Sequence, residues 1–457
     1  MRWLSLGAAL LLGWSMPGAG ANFEPRIADE PQAPLLAVIG PKEFLAELDD
    51  YLAHKAKQFP TRAVALEEIL TTPTGCDDAE TLKRWLYDQW RQGLRYALLV
   101  GDASVLPVRY MVLDRVTPEA FDYAFYPSDL YYGDVARADG SFDDWNAQKD
   151  GHHAGYFGEV RGEKNKSDPI NFDNISYVPE LAVGRWPAAT PAEARRIAAK
   201  TVAYEQGLDA KPGRDRAAFF AVDGWVDSRG LLDRASERLG AAWSIEKRYY
   251  GGQTPPPNEA ELYRLLNEGL GLVVHAGHGE TDRWDKAATL AGLRNKVRNE
   301  DRLPLMLSAG CSTAYFAPLG PYESYRDRTG ETQKGTNAGQ VFTTPPPPPH
   351  VYQTQRHHAG LGPWLVCGSP GGAVAYFGCN TGSQPCGLTL VEGFVGGLAR
   401  QPRLGDAWIE AVQHYWERER LAELKPTASW YPASIFFQGM KFMLYGDPTL
   451  LVPGGKR

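Results

Sequence analysis

An α/β fold on mainly parallel sheets is what this sequence predicts, and three observations carry the prediction. Short apolar runs alternate with amphipathic stretches of helical length. That alternation implies parallel sheets covered by helices on both faces. It is completed twice, in two rounds separated by Lys211-Pro212-Gly213. Two stacked sub-domains are therefore expected, residues 22–212 and 213–457, behind a leader over residues 1–21.

In the first round, residues 35–40 read as a strand and 42–58 as a helix. Asp77 or Asp78 caps a helix running to residue 92. Residues 96–100 form a strand ending in Gly101-Asp102. Residues 180–183 form another, followed by Gly184-Arg185-Trp186-Pro187. A helix spans 191–206, with Pro191 in its first turn. The second round reads strand 217–222, helix 231–239, strand 243–247, helix 258–267, strand 271–275, short helix 290–297 and strand 304–308. After a long gap come strand 372–377 and helices over 388–400, 404–420 and 432–444. Two stretches break the alternation. Residues 111–175 are loop-rich, aromatic and acidic. Residues 317–360 hold an unbroken run from Pro345 to Pro349, which reads as an extended, solvent-exposed surface insertion.

Composition removes several classes of function. With 48 Lys plus Arg against 55 Asp plus Glu, the formal net charge is −7. A mildly acidic chain without a basic stripe is a poor partner for nucleic acid. Its 43% hydrophobic and 23% charged residues are those of a globular chain, neither fibrous nor disordered. Met1-Arg2, the apolar run from Trp3 to Trp14, the break at Pro17-Gly18 and the small residues Ala19-Gly20-Ala21 have the layout of a secretory signal peptide cut before Asn22. That run is shorter than the 20 or so apolar residues a membrane span needs, and no later segment is long enough. A secreted or periplasmic monomer without a membrane span is expected. Cysteines of an exported chain tend to pair. There are five: Cys76, Cys311, Cys367, Cys379 and Cys386. An odd count leaves at least one thiol without an intrachain partner.

Two strand ends of the second round carry reactive side chains. One reads Gly271-Leu-Val-Val-His-Ala-Gly-His278-Gly279-Glu280, the other Leu303-Pro-Leu-Met-Leu-Ser-Ala-Gly310-Cys311-Ser312. In parallel sheets, functional groups gather past the carboxyl ends of strands. His278 and Cys311 are 33 positions apart, which suits a strand end, a helical connection and the next strand end. A thiolate is the attacking form of cysteine, and an adjacent imidazole can take the proton and return it to a leaving amine. Gly279 leaves its N–H unobstructed, and with the N–H of Cys311 it can form an oxyanion hole. Singly, each residue has a plainer reading: cysteine is commonly core, and a histidine in a glycine turn can cap a helix. His275 competes with His278 but lies within the strand.

These blocks resemble the gingipain-type cysteine peptidases, family C25, whose wider clan includes caspases and legumains. That clan shows an apolar strand ending in His-Gly and another ending in Ala-Cys or Gly-Cys. Tyr96-Ala-Leu-Leu-Val-Gly-Asp102, Ser128-Asp-Leu-Tyr-Tyr-Gly-Asp134, Glu180-Leu-Ala-Val-Gly-Arg-Trp-Pro187 and Leu444-Tyr-Gly-Asp-Pro-Thr-Leu450 are similar to the same family. The resemblance covers most of residues 35–452. It implies a caspase-like three-layer α/β/α fold, with Cys311 as nucleophile, His278 as base and acid, protein or peptide substrates, and no cofactor needed for catalysis. The alternative is a catalytically silent binding or secretion-accessory protein on the same fold.

Supporting roles follow from placement. Asp223 ends strand 217–222 and resembles in position the acid that supports the family's histidine; capping the next turn is its other reading, and Asp227 is a rival. The resemblance implies an acidic residue that pairs with a basic substrate side chain, for which Glu280, Asp282, Asp227 and Glu323 are candidates; surface solvation is the other reading of each. The loop holding Asp139, Asp143 and Asp150 is dense in oxygen ligands, and the resemblance implies structural Ca²⁺ near here; a solvated acidic loop is the other reading. His152-His153 and His357-His358 lack the companion ligands of a zinc site. Cys379 and Cys386 enclose a short turn that a disulfide can close, and Cys76–Cys367 would be a second bridge, leaving Cys311 free.

Overall fold

The computed structural model describes residues 35–114, 123–147, 154–160, 169–207, 213–354, 360–425, 435–436 and 438–452. The leader, Asp150 and the two histidine pairs lie outside them.

Ten strands make one sheet. In chain order they are β1 (Leu36–Gly40), β2 (Thr61–Ala65), β3 (Tyr96–Val100), β4 (Ala182–Trp186), β5 (Arg216–Ala221), β6 (Ser244–Tyr249), β7 (Leu272–Ala276), β8 (Leu305–Ser308), β9 (Ala375–Cys379) and β10 (Phe442–Tyr445). Their spatial order is β2-β1-β3-β4-β10-β9-β8-β7-β5-β6. Every pairing is parallel except β9 with β10. The first-round strands occupy one side and the second-round strands the other. They meet at β10, which pairs with β9 along its length and touches β4 at Tyr445 opposite Arg185.

Interior strands are buried at every position but Arg216 at the start of β5, whereas the edge strands β2 and β6 are half exposed. Side chains alternate across a strand. In β1, Ala37 and Ile39 enter one apolar core while Leu36 and Val38 enter the other, so the helices cover both faces. Those helices start where the sequence signals them. Asp77 accepts the N–H of Glu80 at 2.9 Å and opens helix Asp78–Trp90. Thr190 Oγ1 accepts the Glu193 N–H at 3.3 Å, and the Glu193 carboxylate accepts the Ala189 N–H at 2.8 Å, at the head of helix Pro191–Gln206. Asn258 caps helix Glu259–Glu268. No helix among the described residues is long and apolar enough to cross a membrane.

Three expectations change. The helix expected over 42–58 is two pieces, Lys42–Leu45 and Asp49–Ala56. Of the helix expected over 432–444, residues 435–436 and Gln438–Lys441 are helical among the described residues, and Phe442–Tyr445 is β10 instead. Phe442-Met-Leu-Tyr445 is a wholly apolar tetrad, and a run that short has no period to separate helix from strand. The polyproline run is extended but not solvent-exposed: Pro346, Pro348 and Pro349 are buried. A polyproline helix leaves its carbonyls unbonded, and here protein donors take them. Tyr156 donates to Pro346 O at 2.7 Å, Tyr325 to Pro347 O at 2.8 Å, and the Arg328 amide to Pro348 O at 3.1 Å. The segment straps the first-round side of the sheet, where the Val108 amide donates to Val351 O and the Gln353 amide to Ala103 O.

Candidate active site

The sheet register sets the site. β7 and β8 are parallel neighbours with His275 opposite Ser308, an offset of 33 residues. His278 and Cys311 keep the same offset three residues further on, so the two turns leave the sheet side by side. Two glycines let those turns touch. A Cβ on Gly279 would stand 2.5 Å from Thr313 Cγ2 and 2.9 Å from Cys311 O; one on Gly310 would stand 3.0 Å from Gly279 Cα. Gly279 is thus required by close approach, as well as by any use of its N–H.

Cys311 is half-buried. The Ser383 amide donates to its sulfur at 3.3 Å, and Sγ lies 3.7 Å from Ser383 O. The next residue, Ser312, has φ +55°, a left-handed conformation that costs a non-glycine residue about 1 kcal/mol. Its N–H donates to Thr381 O at 2.8 Å, and the Ala314 N–H to Cys379 O at 2.9 Å, which hold the turn in place. The Cys311 amide donates no hydrogen bond to another described residue.

His278 is exposed, and its Nε2 lies 2.7 Å from the carbonyl oxygen of Gly224, at the end of β5. A carbonyl only accepts, so Nε2 carries the proton and Nδ1 of the neutral ring is the basic nitrogen. The Asp285 amide donates to His278 O, and this closes the hairpin of residues 279–284. Asp223 makes no hydrogen bond to the imidazole. Its carboxylate pairs with Lys286 Nζ at 2.7 Å, and that bond holds it below the usual carboxylate range. The pair ties the Asp223-Gly224 turn to the segment following the hairpin. His275 is a structural residue: it is buried, stacked on Trp284 at 4.7 Å, bonded through Nδ1 to Ser308 Oγ at 2.9 Å, and held by burial to a pKa of about 3.

All five cysteines are free thiols, which corrects both expected bridges. Cys379 is buried and donates to Thr381 O at 3.1 Å, while Cys386 sits at the head of helix Gly387–Arg400. Cys76 lies in an exposed loop, where its N–H donates to Glu80, and Cys367 is buried, its carbonyl accepting from Arg196. The odd count therefore does not single out Cys311. Burial pushes the Cys379 thiol up to about 12, the Cys386 thiol up to about 11 and the Cys367 thiol higher still, suppressing their thiolates.

Three of the other acidic candidates are engaged. Glu280 pairs with Arg283, Asp227 with Arg229, and Glu323 accepts from the Tyr315 hydroxyl and the Leu319 amide. Asp139 is exposed and pinned by Ser141, whereas Asp143 is buried, paired with Arg137 and bonded by the Ser176 amide. The two share no donor set, and among the described residues no group of three or more His, Cys, Asp or Glu side chains is placed to hold a metal. The Gly224 carbonyl, the Ser383 amide and Lys286 were not anticipated. The first two are backbone groups that any residue supplies, so their only advance signal was position past a strand end.

The sequence model of peptidase family C25 matches residues 29–453. The chain belongs to this family. It is accordingly a cysteine peptidase, of the hydrolase class. The C25 fold is also seen directly. The crystal structure of the Arg-specific cysteine proteinase gingipain R (RgpB) superposes with a TM-score of 0.58 at 15% identity, over 93% of this chain and 79% of that one. The complex of Porphyromonas gingivalis RgpB pro- and mature domains gives 0.58 at 15%, over 91% and 79%. At that identity the likeness is one of fold. No curated protein matches the sequence.

Proposed function

We propose that this C25 chain is an exported endopeptidase in which Cys311 is the nucleophile and His278 the general base and acid. The observation that carries the reading is the shared register of the two strand ends, with His278 Nε2 held by the Gly224 carbonyl so that Nδ1 is the basic nitrogen. Nδ1 takes the thiol proton and the thiolate sulfur bonds to the scissile carbonyl carbon. The resulting oxyanion is met by the amides of Gly279 and Cys311. As the C–N bond breaks, the imidazolium returns the proton to the leaving amine, leaving an acyl-enzyme. Water, deprotonated by Nδ1, then hydrolyses the thioester and restores the thiol. In this reading Asp223 acts through Lys286, bracing the turn that carries the Gly224 carbonyl. Export rests on the signal-peptide layout of residues 1–21.

A peptide-library digest with wild type and Cys311→Ala side by side tests the reading. Internal cleavage by wild type alone is expected. Equal cleavage by both would overturn it, and cleavage by neither would favour a silent binding protein.

A further inference from the structure

The loop of residues 380–384, between β9 and helix Gly387–Arg400, is tethered along its length. The Asn380 amide donates to Lys441 O at 2.8 Å and its Nδ2 to Pro127 O at 2.6 Å. Thr381 O accepts from the Ser312 amide. Gly382 O accepts from Lys441 Nζ at 3.2 Å, and the Gln384 amide donates to Gln438 Oε1 at 3.0 Å. Gln438 is fully buried and Lys441 nearly so, with Nζ 4.9 Å from the centre of the Tyr126 ring. Within this frame, the Ser383 N–H points at the Cys311 sulfur.

The one antiparallel pairing explains how Gln438 and Lys441 come to be there. β10 runs against β9 and so begins where β9 ends: Phe442, first in β10, pairs with Cys379, last in β9. The short helix before β10 therefore arrives at the edge where Cys311 sits. A neutral thiol is a weak acceptor, whereas a thiolate is a strong one, and a hydrogen bond to the charged form favours it.

We infer that the Ser383 backbone amide stabilises the Cys311 thiolate, and that Gln438 and Lys441 are positioning residues that hold it on the sulfur. Among the described residues, Cys379 on β9, Cys386 and Lys441 are titratable groups beside the loop and Cys311, and His278 stands on the adjoining β7 turn. The Lys441 charge bears on the Cys379 thiol as well.

The inference rests on the proposed role of Cys311, but its test does not require turnover. The rate of iodoacetamide alkylation is followed against pH, with peptide mass spectrometry isolating Cys311 from the other thiols. Ser383→Pro removes the N–H and is expected to raise the midpoint by about one pH unit. Ser383→Ala, which keeps the N–H, restores the wild-type midpoint. Gln438→Leu frees the loop and moves the midpoint upward by less. A folded Ser383→Pro protein with the wild-type midpoint would overturn the inference. So would a Gln438→Leu protein whose melting temperature falls while its midpoint stays put. Loss of hydrolysis in Cys311→Ala tests the peptidase reading separately.

Discussion

Gly279→Ala pushes directly on the contact that joins the two reactive turns. The new Cβ would lie 2.5 Å from Thr313 Cγ2 and 2.9 Å from Cys311 O. Ordinary contact begins near 3.4 Å, so the overlaps are 0.9 and 0.5 Å. Thr313 cannot swing away, because it is fully buried and its hydroxyl donates to Gly310 O at 3.2 Å. The His278 and Cys311 turns must separate instead. Displacing reacting groups by ~1 Å costs on the order of a hundredfold in rate. Overpacking of this kind costs about 1–3 kcal/mol in stability. The assay is kcat on a cleaved peptide together with the melting temperature. Gly230→Ala is the comparison, since nothing lies within 4 Å of the added carbon and no positive φ is involved. A Gly279→Ala enzyme within about threefold of the wild-type kcat would refute the idea that this contact sets the geometry.

Asp223→Asn should keep kcat within about tenfold of wild type, because the Gly224 carbonyl holds His278; a loss of about four orders of magnitude would show that the acid orients the imidazole directly. His275 makes folding pH-dependent. Its folded pKa of about 3 lies below the unfolded value of 6.5. Between the two, the unfolded chain binds more protons, so the contribution is lost as pH falls through that window. Urea midpoints should reveal a loss of about 2 kcal/mol between pH 6.5 and 5, and His275→Gln should flatten the slope by one proton. An unchanged slope would place His275 in a wetter setting. Lys55→Met removes the cation that pairs with Glu205 at 2.8 Å and Asp447 at 2.7 Å, all three side chains being fully buried. Glu205 keeps His54 and Gln58, and Asp447 keeps Thr449, but loss of the shared buried cation should still lower unfolding stability by about 3–5 kcal/mol, and a loss under about 1 kcal/mol would indicate that the site rehydrates.

Much of the sheet was legible because its strands are apolar runs bounded by glycine, proline and caps. Residues 96–100 and 191–206 fall where the pattern places them. Those elements obey local rules. β10 does not: its four residues carry no period, and only the gap between β4 and β9 makes them a strand. The adjacency of the His278 and Cys311 turns was legible for a different reason. Parallel pairing converts equal spacing in sequence into adjacency in space, so 33 residues between His278 and Cys311 already contained the register. What orients the imidazole was hidden, because a peptide carbonyl leaves no mark on residue identity. Asp223 attracted attention as an acid, yet its partner Lys286 lies 63 positions away and is brought near by the turns beyond β5 and β7. The cysteine arithmetic misled because pairing depends on where each sulfur sits in space, and Cys76 and Cys367 lie in separate settings, one an exposed loop and one the core.

The most direct test of a covalent Cys311 mechanism is to trap the acyl-enzyme. The enzyme is quenched in acid while turning over an activated peptide ester, digested, and read by mass spectrometry. An acyl group on the Cys311 peptide, absent when His278 is replaced by alanine, is the predicted result. An acyl group on another residue, or ester turnover undiminished in Cys311→Ala, would contradict it.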